Sequence, residues 1–292
     1  MERELWTEVV ALVRSAVAGH RQRERKFNDQ TIVLSYLWAV FNDRPVLWAT
    51  DRRNWPFYMR ITPRPSASTM SRRLRSRSVR ELVERVWRRM PRRLDAGTAL
   101  IIDAKPLPVG GYTNDRDART GRACGSFAWG YKLYLIVDEN SGVHAWNVES
   151  MNVAEQRVAE ELIPAAARSA GPNRWLLGDR AYDSNRLYVM AETCGLRLLA
   201  PRLRSKDRVG PCQSPGRRRA IRMLERPGTP QGRALIHRRD AVERYLGTLC
   251  CTGGGLGPLP GYVRGLNRVR QWVGAKLLIH SLRRAQRARH AA

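Results

Sequence analysis

Acidic side chains are scarce in this chain: 26 Asp and Glu stand against 53 Lys and Arg in 292 residues, a formal charge of +27. That imbalance exceeds what a small-molecule enzyme needs and points to a polyanionic partner, nucleic acid ahead of an anionic membrane surface. Lysine is scarce too. It occurs only as Lys26, Lys105, Lys132, Lys206 and Lys276, so arginine carries the charge, and its planar fork grips phosphate bidentately. Cysteine is limited to Cys124, Cys194, Cys212, Cys250 and Cys251, with no Cys-x2-Cys pair and no histidine at finger spacing. These read as reduced thiols, not a zinc finger or a disulfide framework. Long apolar runs are missing: nothing approaches the roughly 20 residues of a membrane span. The first 25 residues are interrupted by Glu2, Arg3, Glu4, Glu8, Arg14 and Arg21. The expectation is a cytoplasmic protein without membrane contact.

What is present suffices for one sizeable core and a smaller one, since 43% of residues are hydrophobic. Two domains are expected, a helical one over residues 1–95 and an α/β one over 96–292, with a basic insertion at about 204–235. In the first, Leu5, Val9, Leu12, Val13 and Val17 recur at helical steps within residues 4–18, and a second helix is expected at 28–41. Within 60–75, Pro63 and Pro65 punctuate, Ser66 or Ser68 can cap, and Met70 and Leu74 face inward. That short helix is expected to expose Ser71, Arg72, Arg73 and Arg75, as the second helix of a helix-turn-helix presents its polar face to the major groove. A plain helical bundle with a solvated basic face is the competing reading. Another helix, 78–90, turns Leu82, Val83, Val86 and Met90 inward and ends near Pro91.

After Asp95-Ala96-Gly97 the pattern changes to strands at 99–104, 131–137, 143–148, 174–178 and 196–200, with a helix at 153–167 facing Val158, Leu162 and Ile163 inward. The fold class is therefore α/β, a mixed sheet flanked by helices. Trp129, Trp146 and Trp175 read as core. Residues 204–233 lack apolar periodicity and read as a loop whose Arg217-Arg218-Arg219 contacts phosphate without sequence preference. Helices resume at 235–249 and 266–285, separated by a flexible glycine-rich connector at 252–261.

In a chain this short of acids, three placements carry information. Asp103 ends the apolar run Leu100-Ile101-Ile102, Asp179 ends Trp175-Leu176-Leu177-Gly178, and Glu243 lies on a helix with Arg239 one turn before it. Singly, each is most simply a turn or surface acid. Together, two strand-end carboxylates and a helix carboxylate can converge on a pair of Mg²⁺ or Mn²⁺ ions about 4 Å apart, the arrangement that serves in-line phosphodiester displacement.

The order Ile101-Ile102-Asp103, Leu177-Gly178-Asp179-Arg180-Ala181-Tyr182-Asp183, Arg239-Asp240-Ala241-Val242-Glu243-Arg244 and Trp272-Val273-Gly274-Ala275-Lys276 resembles the bacterial insertion-sequence transposases of the DDE class. The resemblance covers about residues 100–284. It implies an RNase H-like catalytic domain in which Asp103, Asp179 and Glu243 form the metal-binding triad. It also implies cleavage of double-stranded DNA at the element's ends, strand transfer into a target, a homodimer on DNA, and a nucleoid-associated location. Arg180, Arg239 and Arg244 are the implied DNA contacts of this domain. Relatives carry Tyr-x2-Arg-x3-Glu-x6-Lys around the last acid; here those positions hold Ile236, Arg239, Glu243 and Cys250. Asp183 and Asp240 read as solvated neighbours, Tyr182 as packing, and His237 as dispensable. Lys105, Arg122 and Lys132 are the further cations nearest the site in sequence. Two rivals stand beside the transposase reading. One is a nuclease of the same sheet that does not transfer strands. The other is a DNA-binding protein, a repressor or an inactive or domesticated copy, whose acids are structural.

Overall fold

The computed structural model describes residues 2–18, 26–59, 63–90, 97–110, 114–123, 125–203, 212–225, 227–251 and 255–291. Pro91, Asp95-Ala96, residues 204–211 and the first residues of the glycine-rich connector, 252–254, lie outside them. The chain divides into two compact units: Met1–Arg92 with Thr252–Leu256 and Gln271–Ala292, and Arg93–Cys251 with Gly257–Arg270.

In the first unit the apolar steps produce α1 (Glu2–Val17), which buries Leu5, Trp6, Val9, Leu12 and Val13. Helix α2 (Asp29–Phe41) starts where the Asn28 carboxamide oxygen accepts from the Thr31 N–H at 2.8 Å. The short α3 (Val46–Thr50) follows. Ser66 caps α4 (Ala67–Leu74), accepting from the Thr69 N–H, and Met70 and Leu74 face inward as expected. Helix α5 (Arg77–Arg89) buries Val79, Leu82 and Val86. The Trp38 ring lies 4.7 Å from Trp6 and 5.3 Å from Trp55 between centroids, a nucleus these small helices share.

The second unit is built on a sheet that has six strands among the described residues: β1 (Ala99–Pro108), β2 (Arg119–Ala123), β3 (Ser126–Asp138), β4 (Val143–Ser150), β5 (Arg174–Leu177) and β6 (Leu196–Leu199). β1 pairs antiparallel with β3, and β3 continues antiparallel to β2 and β4; on its other side β1 runs parallel to β5, and β5 to β6. Four antiparallel strands extended by two parallel ones, with α6 (Glu155–Ala170) and α7 (Asn185–Thr193) as the connections, make the RNase H-like mixed sheet that the resemblance implied. Helix α6 buries Val158, Leu162 and Ile163. The strand β2 escaped the sequence reading because its residues, RTGRA, are charged or small.

The expected loop at 204–233 is corrected where it is described: it contains α8 (Pro215–Leu224) and α9 (Pro230–His237). Each starts on a hydroxyl cap followed by proline, Ser214-Pro215 and Thr229-Pro230, and α8 buries only Gly216, Ala220 and Met223. Small residues gave no apolar periodicity, whereas the cap-proline pairs were readable. The expected single helix at 235–249 is two, because α9 ends at His237 and α10 (Asp240–Cys251) begins after Arg238-Arg239. Helix α11 (Leu266–Ala291) starts in the second unit and belongs to the first from Gln271 onward. There Lys276 pairs with Asp43, Arg283 with Glu2 and Gln286 with Glu4.

Candidate active site

The strand register brings two of the acids together. Ile101 of β1 pairs with Leu177 of the parallel β5, and Asp103 and Asp179 each stand two residues beyond that rung. Side chains two apart on a strand share a face. The ladder continues past β5, since the Gly178 N–H donates to the Leu199 carbonyl at 3.1 Å and Asp179 keeps an extended backbone. Both carboxylates therefore project from the same face at neighbouring positions. Asp179 follows the end of β5, but the strand end expected at Asp103 is corrected: β1 runs on to Pro108, its pairing with β3 unbroken, so Asp103 sits mid-strand. Asp179 then caps the turn Arg180–Tyr182, its Oδ1 accepting from the Ala181 N–H at 2.8 Å. Gly178 is required by the packing of that turn: a Cβ here would come within 2.9 Å of the Tyr182 ring. Tyr182 is buried, as expected of a packing residue, and its hydroxyl has no hydrogen-bond partner among the described residues.

Electrostatics tie further groups to the pair. Burial pushes the Asp103 carboxyl up to about 6; the Ala104 N–H and the Arg239 guanidinium oppose this, while Asp179 and Glu155 add to it. The Tyr182 hydroxyl is held well above its ordinary value, first by burial and then by Glu155, Asp103 and Asp179. Glu155 was not singled out from the sequence, where an acid in a helix's first turn reads as a dipole partner. It accepts from Lys132 Nζ at 3.0 Å, and its neighbour Gln156 donates to the Ala181 carbonyl, joining α6 to the turn that Asp179 caps.

Glu243 lies in the first turn of α10 with its side chain 65% exposed, 3.6 Å from Arg239. Because the helix breaks at Arg238-Arg239, Ile236 lies on α9, whereas Cys250 shares α10 with Glu243. Among the described residues no three His, Cys, Asp or Glu side chains are gathered so as to hold a metal ion. The Asp103–Asp179 pair alone suits a hard cation such as Mg²⁺, which takes one or two carboxylates and completes its shell with water and substrate phosphate.

Several sequence-predicted residues are placed otherwise than expected. Ser71, Arg72 and Arg75 are exposed on or beside α4, but Arg73 is buried: it bonds the Asp29 carboxylate and donates to the Phe27 carbonyl at 2.7 Å. Asp183 is not solvated; it is buried and accepts from Arg217 and from the Leu203 N–H. That engages Arg217, and Arg219 pairs with Glu192, so this cluster is not free for phosphate as a unit. Trp129 is 38% exposed and not core. Arg180 and Arg244 are exposed, and Arg239 is half-buried. No described helix is long and apolar enough to cross a membrane.

No curated protein matches this chain. Among solved structures, a cryo-EM piggyBac transposase synaptic complex with hairpin DNA is similar at a TM-score of 0.48 and 11% identity, over 99% of this chain and 73% of that one. The profile of the family described as transposase DDE domain matches residues 94–282, the span that holds the whole described sheet, Asp103, Asp179 and Glu243. The chain belongs to that family.

Proposed function

We propose that the protein is a DNA transposase that binds the ends of its own mobile element and carries out metal-dependent cleavage and strand transfer, acting as a homodimer on double-stranded DNA. The observation that carries this reading is the placement of Asp103 and Asp179 beyond one rung of parallel strands, with Asp103 desolvated and short of compensating positive charge. Two Mg²⁺ or Mn²⁺ ions, when bound, would neutralise the charge that develops on the attacking and departing oxygens of the phosphodiester. Asp179 is oriented for its ligand role by the Ala181 N–H. Asp103 offers a carboxylate from which water has been removed, so a cation gains more there than at a solvated acid. Glu243 is the third ligand by its motif. Arg239, acting on Asp103 and facing Glu243, holds that acid or a DNA phosphate. Arg180 and Arg244 contact phosphates, while Ser71, Arg72 and Arg75 face the groove of the element's end.

A second reading draws on the exposure of Glu243 and the want of a three-acid cluster among the described residues: a DNA-binding protein, repressor or inactive copy, whose acids are structural. Purified protein is incubated with Mg²⁺ or Mn²⁺ and a DNA fragment spanning the flanks of its own gene, alongside Asp103→Asn, Asp179→Asn and Glu243→Gln. Cleavage at a flank that the substitutions abolish, with ends joined to new target DNA, supports the transposase. Cleavage that survives all three sinks the triad, cleavage without joining marks a nuclease, and binding without cleavage selects the second reading.

A further inference from the structure

The hairpin of β2 and β3 presents two faces of opposite character. Its register sets Arg122 opposite Phe127 and Thr120 opposite Trp129, with Gly121 opposite Ala128 between them. Directly paired residues share a face, so Thr120, Arg122, Phe127 and Trp129 lie together on one side. The other side is closed: a Cβ on Gly121 would come within 2.3 Å of the Met151 carbonyl oxygen. The first side is open. Phe127 is 72% exposed and Trp129 38%, and Arg122 has no hydrogen-bond or ion-pair partner among the described residues. A solvent-facing strand ordinarily carries polar side chains, and paired aromatics there mark a contact surface.

Resting on the proposed action on DNA, we propose that this face binds an unpaired nucleotide, its base stacked against Phe127 and Trp129 and its phosphate held by Arg122. Three features select this occupant. The chain's charge of +27 and the Arg122 guanidinium, without a partner among the described residues, complement a phosphate backbone. The aromatic rings need an open π-face, which a base offers only once it leaves its stack. Residues two apart on a strand stand about 7 Å apart, about twice the rise of ~3.4 Å per nucleotide along one strand, which leaves room for one base between the rings. The face also lies on the catalytic side of the sheet. Trp129 and Leu135 are an even number of residues apart on β3, and Leu135 pairs with Asp103. Six residues of strand span at most about 20 Å, so the stacked nucleotide falls within roughly six nucleotides of a phosphate at Asp103.

The test measures fluorescence anisotropy of the full-length protein on a labelled blunt duplex and on the same duplex with a short single-stranded overhang. The proteins compared are wild type, Phe127→Ala/Trp129→Ala and Phe127→Tyr/Trp129→Tyr. Both side chains are exposed, so the alanine variant keeps its fold, checked by its thermal midpoint. The expected result is an overhang affinity that falls about tenfold or more in the alanine variant, recovers in the tyrosine variant, and leaves the blunt duplex within about twofold. An equal fall on both DNAs, or no fall on either, overturns the stacking face while leaving DNA binding standing. A change in oligomeric state by light scattering with unaltered DNA affinity overturns it in favour of a second copy of the chain. Wild type that binds neither DNA overturns the proposed function and this inference together.

Discussion

Asp183 accepts from Arg217 at both of its oxygens, Nε and Nη2 each lying 2.8 Å away, and so fastens α8 to the end of the turn that begins at Asp179. The carboxylate is buried and takes a third hydrogen bond from the Leu203 N–H. Arg217→Met leaves a desolvated charge without its counterion, and the expected loss is about 3 kcal/mol of stability. Chemical denaturation reads it. A loss below about 1 kcal/mol would mean that the pair is solvated.

The Asp103 carboxyl, pushed up to about 6 by burial, makes the metal-free protein sensitive to pH. A folded value above the ordinary one means that protonation favours folding. The contribution is whole below about pH 4 and is lost as pH rises through about 6. A shift of about two units is worth about 3 kcal/mol. Asp103→Asn is therefore expected to stabilise the chelator-treated protein above pH 6 by up to that amount and to change little at pH 4. Equal effects at both pH values would refute the assignment.

Tyr182 buries a hydroxyl without a partner among the described residues and packs its ring where Gly178 leaves space. Tyr182→Phe is expected to be neutral or stabilising by up to about 1 kcal/mol, because no hydrogen bond is lost. Tyr182→Ala costs about 3–5 kcal/mol through the cavity it opens. Gly178→Ala forces the ring aside and costs about 1–3 kcal/mol. A phenylalanine variant less stable than wild type by more than about 1 kcal/mol would show that the hydroxyl is bonded.

The arginines of α4 and its C-terminus separate into two roles. Arg72→Ala and Arg75→Ala are expected to leave stability unchanged and each to lower the salt dependence of DNA binding by about one unit of slope. Arg73→Ala removes the counterion of buried Asp29 and costs about 3 kcal/mol of stability. Titrations at several salt concentrations, beside thermal midpoints, distinguish these outcomes. If Arg73→Ala alone alters the salt slope, the assignment of roles is reversed.

The parts of the molecule that sequence foretold are those where a regular apolar period meets an identifiable stop. Leu100-Ile101-Ile102-Asp103 and Trp175-Leu176-Leu177-Gly178-Asp179 announce two strands carrying acids, and the structure pairs them at Ile101 and Leu177, although β1 runs on past Asp103 to Pro108. Ser66 announces α4. Sequence failed where packing between distant segments decides. The exposure expected for Arg73 assumed that Arg on a short helix faces water, but Asp29, distant in the chain, draws it inward. Glu155 was hidden because its place beside Asp103 depends on how α6 returns from β4 across the sheet, which no local spacing encodes. Trp129 read as core from its strand context, and only the β2 register shows its face to be open. The helices α8 and α9 were obscured by composition: small residues face their neighbours, so arginine and proline dominate the reading.

The division of α11 between the two units has a consequence in time. During vectorial synthesis the helices α1 to α5 leave the ribosome first, yet Asp43, Glu2 and Glu4 have partners on α11, beyond the entire sheet. Roughly 180 residues separate Arg92 from Gln271, and at ~5–20 residues per second that interval lasts roughly 10–35 s. For that period the first unit exists without its last helix, and the bonds that Asp43, Glu2 and Glu4 make to α11 form only afterwards. The N-terminal helices thus reach their final form only when the rest of the polypeptide has been made.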